Sequence, residues 1–203
     1  MKKVINCNKE HNPCIDKVAK KVTLEEGELI AAELFQVLNY RKDAIGLSAP
    51  QLGIDAAVSV VNVKTPLYFI NPRIVKQWDE ITYKEGCLSY PNQTAYTKRY
   101  KYCIVEDDAY EGQYYFGPMY SPNHETGNDE GDNLGLLESI CVQHEIMHLN
   151  GKTIFSNKLA PLKAEIRYSR NEKITITNGI NEQELKYKKA IPLISSGEWH
   201  IKE

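Results

Sequence analysis

Gln143-His144-Glu145-Ile146-Met147-His148, at the end of the run Leu134–Leu149, decides how the rest of this chain is read. Apolar residues recur there at helical spacing, and at about 100° per residue Leu137, Ile140, Cys141, His144 and His148 fall on one stripe. Two imidazoles four residues apart project from the same face of a helix and can grip one metal ion. Glu145, between them, stays outside that coordination but can reach a water at the ion and take its proton. Both His ride on the face expected to be buried, where neutral imidazoles need partners that a divalent ion supplies.

Working outward, the 203 residues suit one domain with an appendage, and 42% hydrophobic content is enough for a sizeable core. The net charge of −2 writes no pull toward nucleic acid or an anionic membrane into the chain. Met1-Lys2-Lys3-Val4-Ile5 opens like a signal peptide, but Asn6, Asn8, Lys9 and Glu10 end the apolar run, and nothing approaches the ~18 apolar residues of a membrane helix. A cytoplasm-like compartment is expected, in a bacterium or phage-infected cell, with an organelle stroma or matrix left open. The five cysteines, Cys7, Cys14, Cys87, Cys103 and Cys141, are odd in number and sparse, which suits free thiols better than a disulfide framework. Cys7, His11 and Cys14 lie close in sequence but lack a second Cys-x-x-Cys pair, a weak case for a metal cluster.

Upstream, Glu25–Tyr40 reads as a helix capped by Thr23, with Leu29, Ala32, Leu34, Phe35 and Leu38 on its packing face. The stretch 43–51 is too small and too broken by Gly and Pro for a periodic element. Strands follow at Ala57–Val63, Leu67–Asn71, Arg73–Gln77, Glu80–Glu85 and Tyr102–Glu106, with Gln113–Phe116 as hairpin partner of the last. Residues 117–133 are a loop by composition, and Asp132 or Asn133 is the expected cap of the motif helix, which Gly151 ends. Beyond residue 165 the pattern changes: Lys173–Thr177 and Glu184–Lys188 form a hairpin about Asn178-Gly179, and Trp199 and Ile201 anchor a tail against the body. The expected fold is α+β, with antiparallel strands packed around a central helix carrying the motif. Residues 1–165 form the main domain and 166–203 a C-terminal β extension on it.

Two His make an incomplete catalytic site, since three protein ligands and one open position are needed. A zincin-type metallopeptidase would draw its third ligand from downstream, where Glu165 and Glu172 stand. The other scheme takes Cys87 from upstream, in Glu85-Gly86-Cys87-Leu88-Ser89, just after a strand and beside a glycine that lets backbone approach closely.

Ile45-Gly46-Leu47-Ser48-Ala49-Pro50-Gln51, Glu85-Gly86-Cys87-Leu88-Ser89 and the His motif stand in that order. Together they resemble the three signature motifs of peptide deformylases, and the likeness runs from about Asn12 through Lys163. The resemblance implies Cys87, His144 and His148 as metal ligands and Glu145 as catalytic acid/base. It implies that the Gln51 amide and the Leu88 backbone N–H hold the oxygen of a reacting formyl group. Ile45 and Gly46 would pair with an extended peptide, Gly86 would line the opposite side, and Leu137, Ile140 and Cys141 would line a methionine pocket. The implied reaction removes the formyl group from formyl-methionine of newly made polypeptides and releases formate. The implied metal is one Fe²⁺ per chain, replaceable by Zn²⁺, Ni²⁺ or Co²⁺, and the substrate class suggests transient ribosome contact. A deformylase-shaped binding protein with weakened catalysis is the reading from a different class.

Four positions depart from the family pattern, Ser48 for the commoner Ala being the minor one. Ala44 stands where Gly is usual, which would cost about 1 kcal/mol if the backbone needed a positive φ. Met147 replaces an Asp that could support the ligand His, and Thr94 replaces an Arg, although Arg99 keeps a familiar basic position.

Overall fold

The computed structural model describes residues 2–118, 133–156, 169, 171–179, 181–195 and 199–202. Contacts divide the chain into two compact units, Met1–Ala160 and Pro161–Glu203. The architecture is α+β with antiparallel strand pairing throughout.

In the first unit α1 spans Leu24–Tyr40, and the Thr23 side chain accepts a hydrogen bond from the Glu26 N–H as its cap. Its buried face is Gly27, Ala31, Leu34, Val37 and Leu38. Leu29 and Ala32, expected on that face, are exposed. The burial stripe follows the positions that meet β1 (Gly46–Ser48), β2 (Val58–Asn62) and β3 (Pro66–Ile70), which pair in that order as one sheet. Between β1 and β2 lies a 3-10 turn, Ala49–Leu52. Within the stretch 43–51 only residues 43–45 are irregular: Gly46–Ser48 is a fully buried strand too short to show a period.

The second sheet holds β4 (Arg73–Cys87), β5 (Tyr90–Glu106) and β6 (Tyr114–Phe116). The two strand segments expected at 73–77 and 80–85 are one strand, and the strand expected at 102–106 begins at Tyr90. Asp79, at φ 57°, sits inside β4 and explains the apparent gap. Gly86 does not end the strand; it lies in β4 opposite Thr94, with a register shift between Gly86 and Cys87.

Helix α2, Asn133–Leu149, carries the His motif. Asn133 opens the helix, and Asp132 lies outside the described residues, as do residues 119–132 of the preceding loop. From Glu138 to Leu149 every residue of α2 is buried, not a single stripe, because β1 and β2 pack on it as well as β5. Val61, Phe69, Cys103, Val105, Phe116, Cys141, Val142 and Ile146 form the shared core. Gly151 ends the helix at φ 67°, its N–H donating to the His148 carbonyl at 3.0 Å. A side chain there would meet the Lys17 backbone at 2.6 Å, because the N-terminal segment crosses at this point and the Ala19 N–H donates to the Leu149 carbonyl.

In the second unit β7 (Lys173–Thr177) pairs with β8 (Glu182–Lys186) and with β9 (His200–Ile201). The strand expected to run to Lys188 stops at Lys186, and Tyr187–Ser195 is helix α3. Ala190 of that helix packs with Ile174 and Ile176, and Trp199 and Ile201 pack against this same cluster. Among the described residues no helix is long and apolar enough to cross a membrane.

Candidate metal centre

β4 delivers Cys87 at its last residue, and α2 delivers His144 and His148 one turn apart. His148 Nε2 lies 3.1 Å from His144 Nε2 and 3.3 Å from Cys87 Sγ. The three candidate ligand atoms all fall within 4.8 Å of one another, and all three residues are buried. Ligand atoms about 2.0–2.3 Å from a shared tetrahedral ion stand roughly 3.4 Å apart, so this spacing and this donor set fit a divalent ion. Among the described residues no other group of three such side chains comes together. Cys7, His11 and Cys14 therefore make no centre. Glu172 is engaged elsewhere, accepting a hydrogen bond from the Ser169 N–H at 2.7 Å, and Glu165 lies outside the described residues.

Both rings are oriented from behind. His148 Nδ1 is 3.0 Å from the Lys152 carbonyl, and His144 Nδ1 is 2.8 Å from Glu85 Oε2. These contacts hold each Nδ1 and leave each Nε2 facing the thiol. Glu85 is itself fixed by Arg99, whose Nε and terminal nitrogen each lie 2.7 Å from Oε1, and by Thr97. Burial alone would raise the Glu85 carboxyl, but His144, Arg99 and Thr97 hold it below its usual range. Burial also disfavours the His144 cation, yet Cys87 and Glu85 outweigh it and push its pKa up to about 10. His148 moves the other way, lowered by burial and by the neighbouring His144. Glu85 is a functional residue to which the motif pattern gives no task. The signal available was period two: residue 85 shares the inward face of β4 with Cys87.

Gln51 sits at the end of the 3-10 turn with its position locked. Its Oε1 accepts from the Ser48 N–H at 2.9 Å and the Ser48 hydroxyl at 3.0 Å, and its Nε2 points at Cys87 Sγ from 3.6 Å. A donor is thereby aimed at the centre without freedom to swing away. Glu145 is buried, and its Oε2 has no hydrogen-bond partner among the described residues. Burial, partly opposed by His144, pushes its pKa up to about 7. A carboxyl poised there can accept and return a proton near neutral pH.

A cleft of about 620 Å³ opens onto the centre. It is lined by Ile45, Gly46, Gln51, Gly86, Cys87, Leu88, Leu137, Ile140, Cys141, His144 and Glu145; His148 lies below its floor, fully buried. Gly46 is required by space: a Cβ there would stand 2.6 Å from both Cys141 Sγ and Glu145 Oε1. Gly86 is under no such constraint, its nearest neighbour being the Gln93 carbonyl at 3.6 Å. Ala44 is absent from the residues at positive φ, so its replacement of Gly costs no backbone strain. Met147 is buried against Arg99, whose terminal nitrogen donates to the thioether at 3.4 Å, a weak contact where a carboxylate would form an ion pair.

A thiol and two imidazoles converging beside a buried carboxyl, at the bottom of an open cleft, define a metal-dependent hydrolase. The sequence profile described as Polypeptide deformylase matches residues 3–165. The chain is 32% identical over 148 residues to a peptide deformylase of Buchnera aphidicola subsp. Schizaphis graminum, an alignment covering 68% of this chain and 79% of that one. A peptide deformylase structure from Legionella pneumophila matches at a TM-score of 0.60 and 28% identity, over 80% of this chain and 88% of that one. One from Synechococcus elongatus in complex with actinonin matches at 0.62 and 26%, over 79% and 80%. The chain belongs to the peptide deformylase family, and it is a metal-dependent deformylase; the metallopeptidase and binding-protein alternatives are not favoured.

Proposed function

We propose that this site hydrolyses the formamide of N-formylmethionyl peptides, releasing formate and a free N-terminal methionine, with Cys87, His144 and His148 holding one divalent ion. The observation that carries the reading is the aim of the surrounding groups. Glu85 and the Lys152 carbonyl turn both Nε2 atoms toward Cys87, and Ser48 turns the Gln51 amide toward the same point. Held by Cys87, His144 and His148, such an ion would supply Lewis acidity and would make the attacking water easier to deprotonate near neutral pH. Donors and acceptors around that point serve distinct steps. Glu145 accepts the proton of the attacking water. The Gln51 amide and the Leu88 backbone N–H hold the oxygen that gains charge as the formyl carbon becomes tetrahedral. As the C–N bond breaks, Glu145 returns the proton to the departing amine.

The edge of β1, with Ile45 and Gly46, pairs with the peptide in extended form, and Gly86 leaves room on the opposite wall. Leu137, Ile140 and Cys141 receive the methionine side chain. Helix α2 is the central element of this arrangement, because one helix supplies two ligands, the acid/base and the pocket wall. A thiolate with two imidazoles suits Fe²⁺ or Zn²⁺; intrinsic affinity favours zinc, and we assign Fe²⁺ as the working ion on the family resemblance. A cytoplasm-like compartment and a transient encounter with ribosomes follow from the substrate class. Failure to co-sediment with nascent-chain complexes would remove the ribosome from this account.

The direct test measures formate release from formyl-Met peptides by protein prepared without oxygen, with Glu145→Gln as control. Release by the wild type and its loss in the variant is the expected result. Equal, background-level release by both would end the proposal.

A further inference from the structure

Lys84 and Gly86 share the outward face of β4, whereas Glu85 and Cys87 point inward, and all four line the cleft. The other charged side chains of the cleft wall are paired with neighbours or sit at the proposed metal centre. Glu85 is taken by His144 and Arg99. Arg41 donates to both carboxylate oxygens of Asp43, at 3.1 and 2.8 Å, and lowers the Asp43 pKa. Glu145 belongs to the metal centre. Lys84 is exposed and forms no ion pair among the described residues. Asn92, Gln93 and Thr94, which face the same stretch of cleft, carry no charge. Among the described residues the outer cleft therefore presents one unmatched charge, and it is positive.

Its position sets what it meets. Lys84 stands three residues before Cys87, roughly 10 Å along the strand. An extended peptide with its formyl carbon at the metal centre advances at a similar rise, so its second and third residues come level with Lys84. We infer that Lys84 gives this site a preference for formyl-Met peptides carrying Asp or Glu at the second or third residue over those carrying Lys or Arg there. The inference rests on the proposed reaction for the direction in which the peptide lies.

Binding is measured on the metal-loaded Glu145→Gln protein, which leaves the substrate intact. The probes are formyl-Met-Ala-Glu against formyl-Met-Ala-Lys, and formyl-Met-Glu-Ala against formyl-Met-Lys-Ala. At low ionic strength the acidic member of at least one pair binds about fivefold more tightly, the size expected for an exposed charge pair, and the ratio shrinks with added salt. In the same background Lys84→Gln flattens the ratio and Lys84→Glu reverses it. Equal affinities in the parent protein, or a ratio that survives Lys84→Glu, would overturn the inference. Charge-dependent binding without formate release by the wild type would keep this site and defeat the proposed reaction. Release without charge discrimination would do the opposite, and failure of every formyl peptide to bind would defeat both.

Discussion

Oε2 of Glu85 lies 2.8 Å from Nδ1 of His144, and the other oxygen of the same carboxylate receives Arg99 and Thr97. One side chain thus fixes the ring of a proposed metal ligand and compensates a buried guanidinium. With methionine at 147, the thioether gives Arg99 no second charge.

Glu85→Gln keeps the volume but removes that charge. Metal affinity is expected to fall about 10- to 100-fold, as for other partners of ligating histidines. The protein should also lose about 3 kcal/mol of stability, because Arg99 stays buried without its counter-charge. Competition with a chelator reads the first effect and urea denaturation of the metal-free protein reads the second. Metal affinity equal to wild type would show that Glu85 does not orient His144.

Gly46 and Gly86 face one another across the cleft wall in the proposed reading but differ in the space behind them. Gly46→Ala drives a methyl group into Glu145 Oε1 and Cys141 Sγ, each 2.6 Å away, so the carboxylate must move. A displacement of that size should cut kcat/KM about 100-fold and lower stability by about 1–3 kcal/mol. Gly86→Ala meets only ordinary contact at 3.6 Å. It should melt like wild type while weakening peptide binding. Comparing melting temperature with kcat/KM for the two variants separates packing from substrate contact.

Five thiols are free, and only one faces both imidazoles. Cys87→Ala should abolish near-stoichiometric metal binding, whereas Cys103→Ala should retain it, because Cys103 lies in the core beside Ser139, where burial raises its pKa to about 11. Metal analysis of the two purified variants decides this. Retention of metal by Cys87→Ala would move the third ligand elsewhere.

The pattern of what could be read in advance has a physical cause. Helix α2 was legible because its His pair and apolar residues recur at helical spacing, whereas segments 45–51 and 85–89 were legible only through their resemblance to deformylase motifs, having no period of their own. β5 was legible only from residue 102 onward, where Cys103 and Val105 alternate with more exposed neighbours. In its first half the inward positions after Ala95 are Thr97 and Arg99, polar groups recruited to Glu85, so the apolar alternation that marks a strand is missing. The site thus masked the strand that supports it. Leu29 misled for the opposite reason: an exposed leucine fits a helical stripe as well as a buried one. In the second unit Pro192, inside the helix, hid α3.

Glu145, the proposed proton acceptor, links the candidate site to stability through pH. Its carboxyl has a pKa of about 7 in the fold against an ordinary 4.5, with burial as the leading cause. Below pH 4.5 the group is neutral in both folded and unfolded chains and contributes nothing. Between 4.5 and 7 the unfolded chain ionises while the folded one keeps its proton, so stability falls as pH rises. Above 7 the whole penalty remains, on the order of 3 kcal/mol. Glu145→Gln removes the ionisable group. The metal-free variant should therefore be more stable than metal-free wild type at pH 8, and the difference should close as pH approaches 4.5. Urea denaturation of both proteins at pH 5 and pH 8 measures it, and equal stability at pH 8 would show that the buried carboxyl carries no such cost. A positive result would identify a residue whose burial weakens the fold and at the same time places a proton acceptor at the right pKa beside the metal centre.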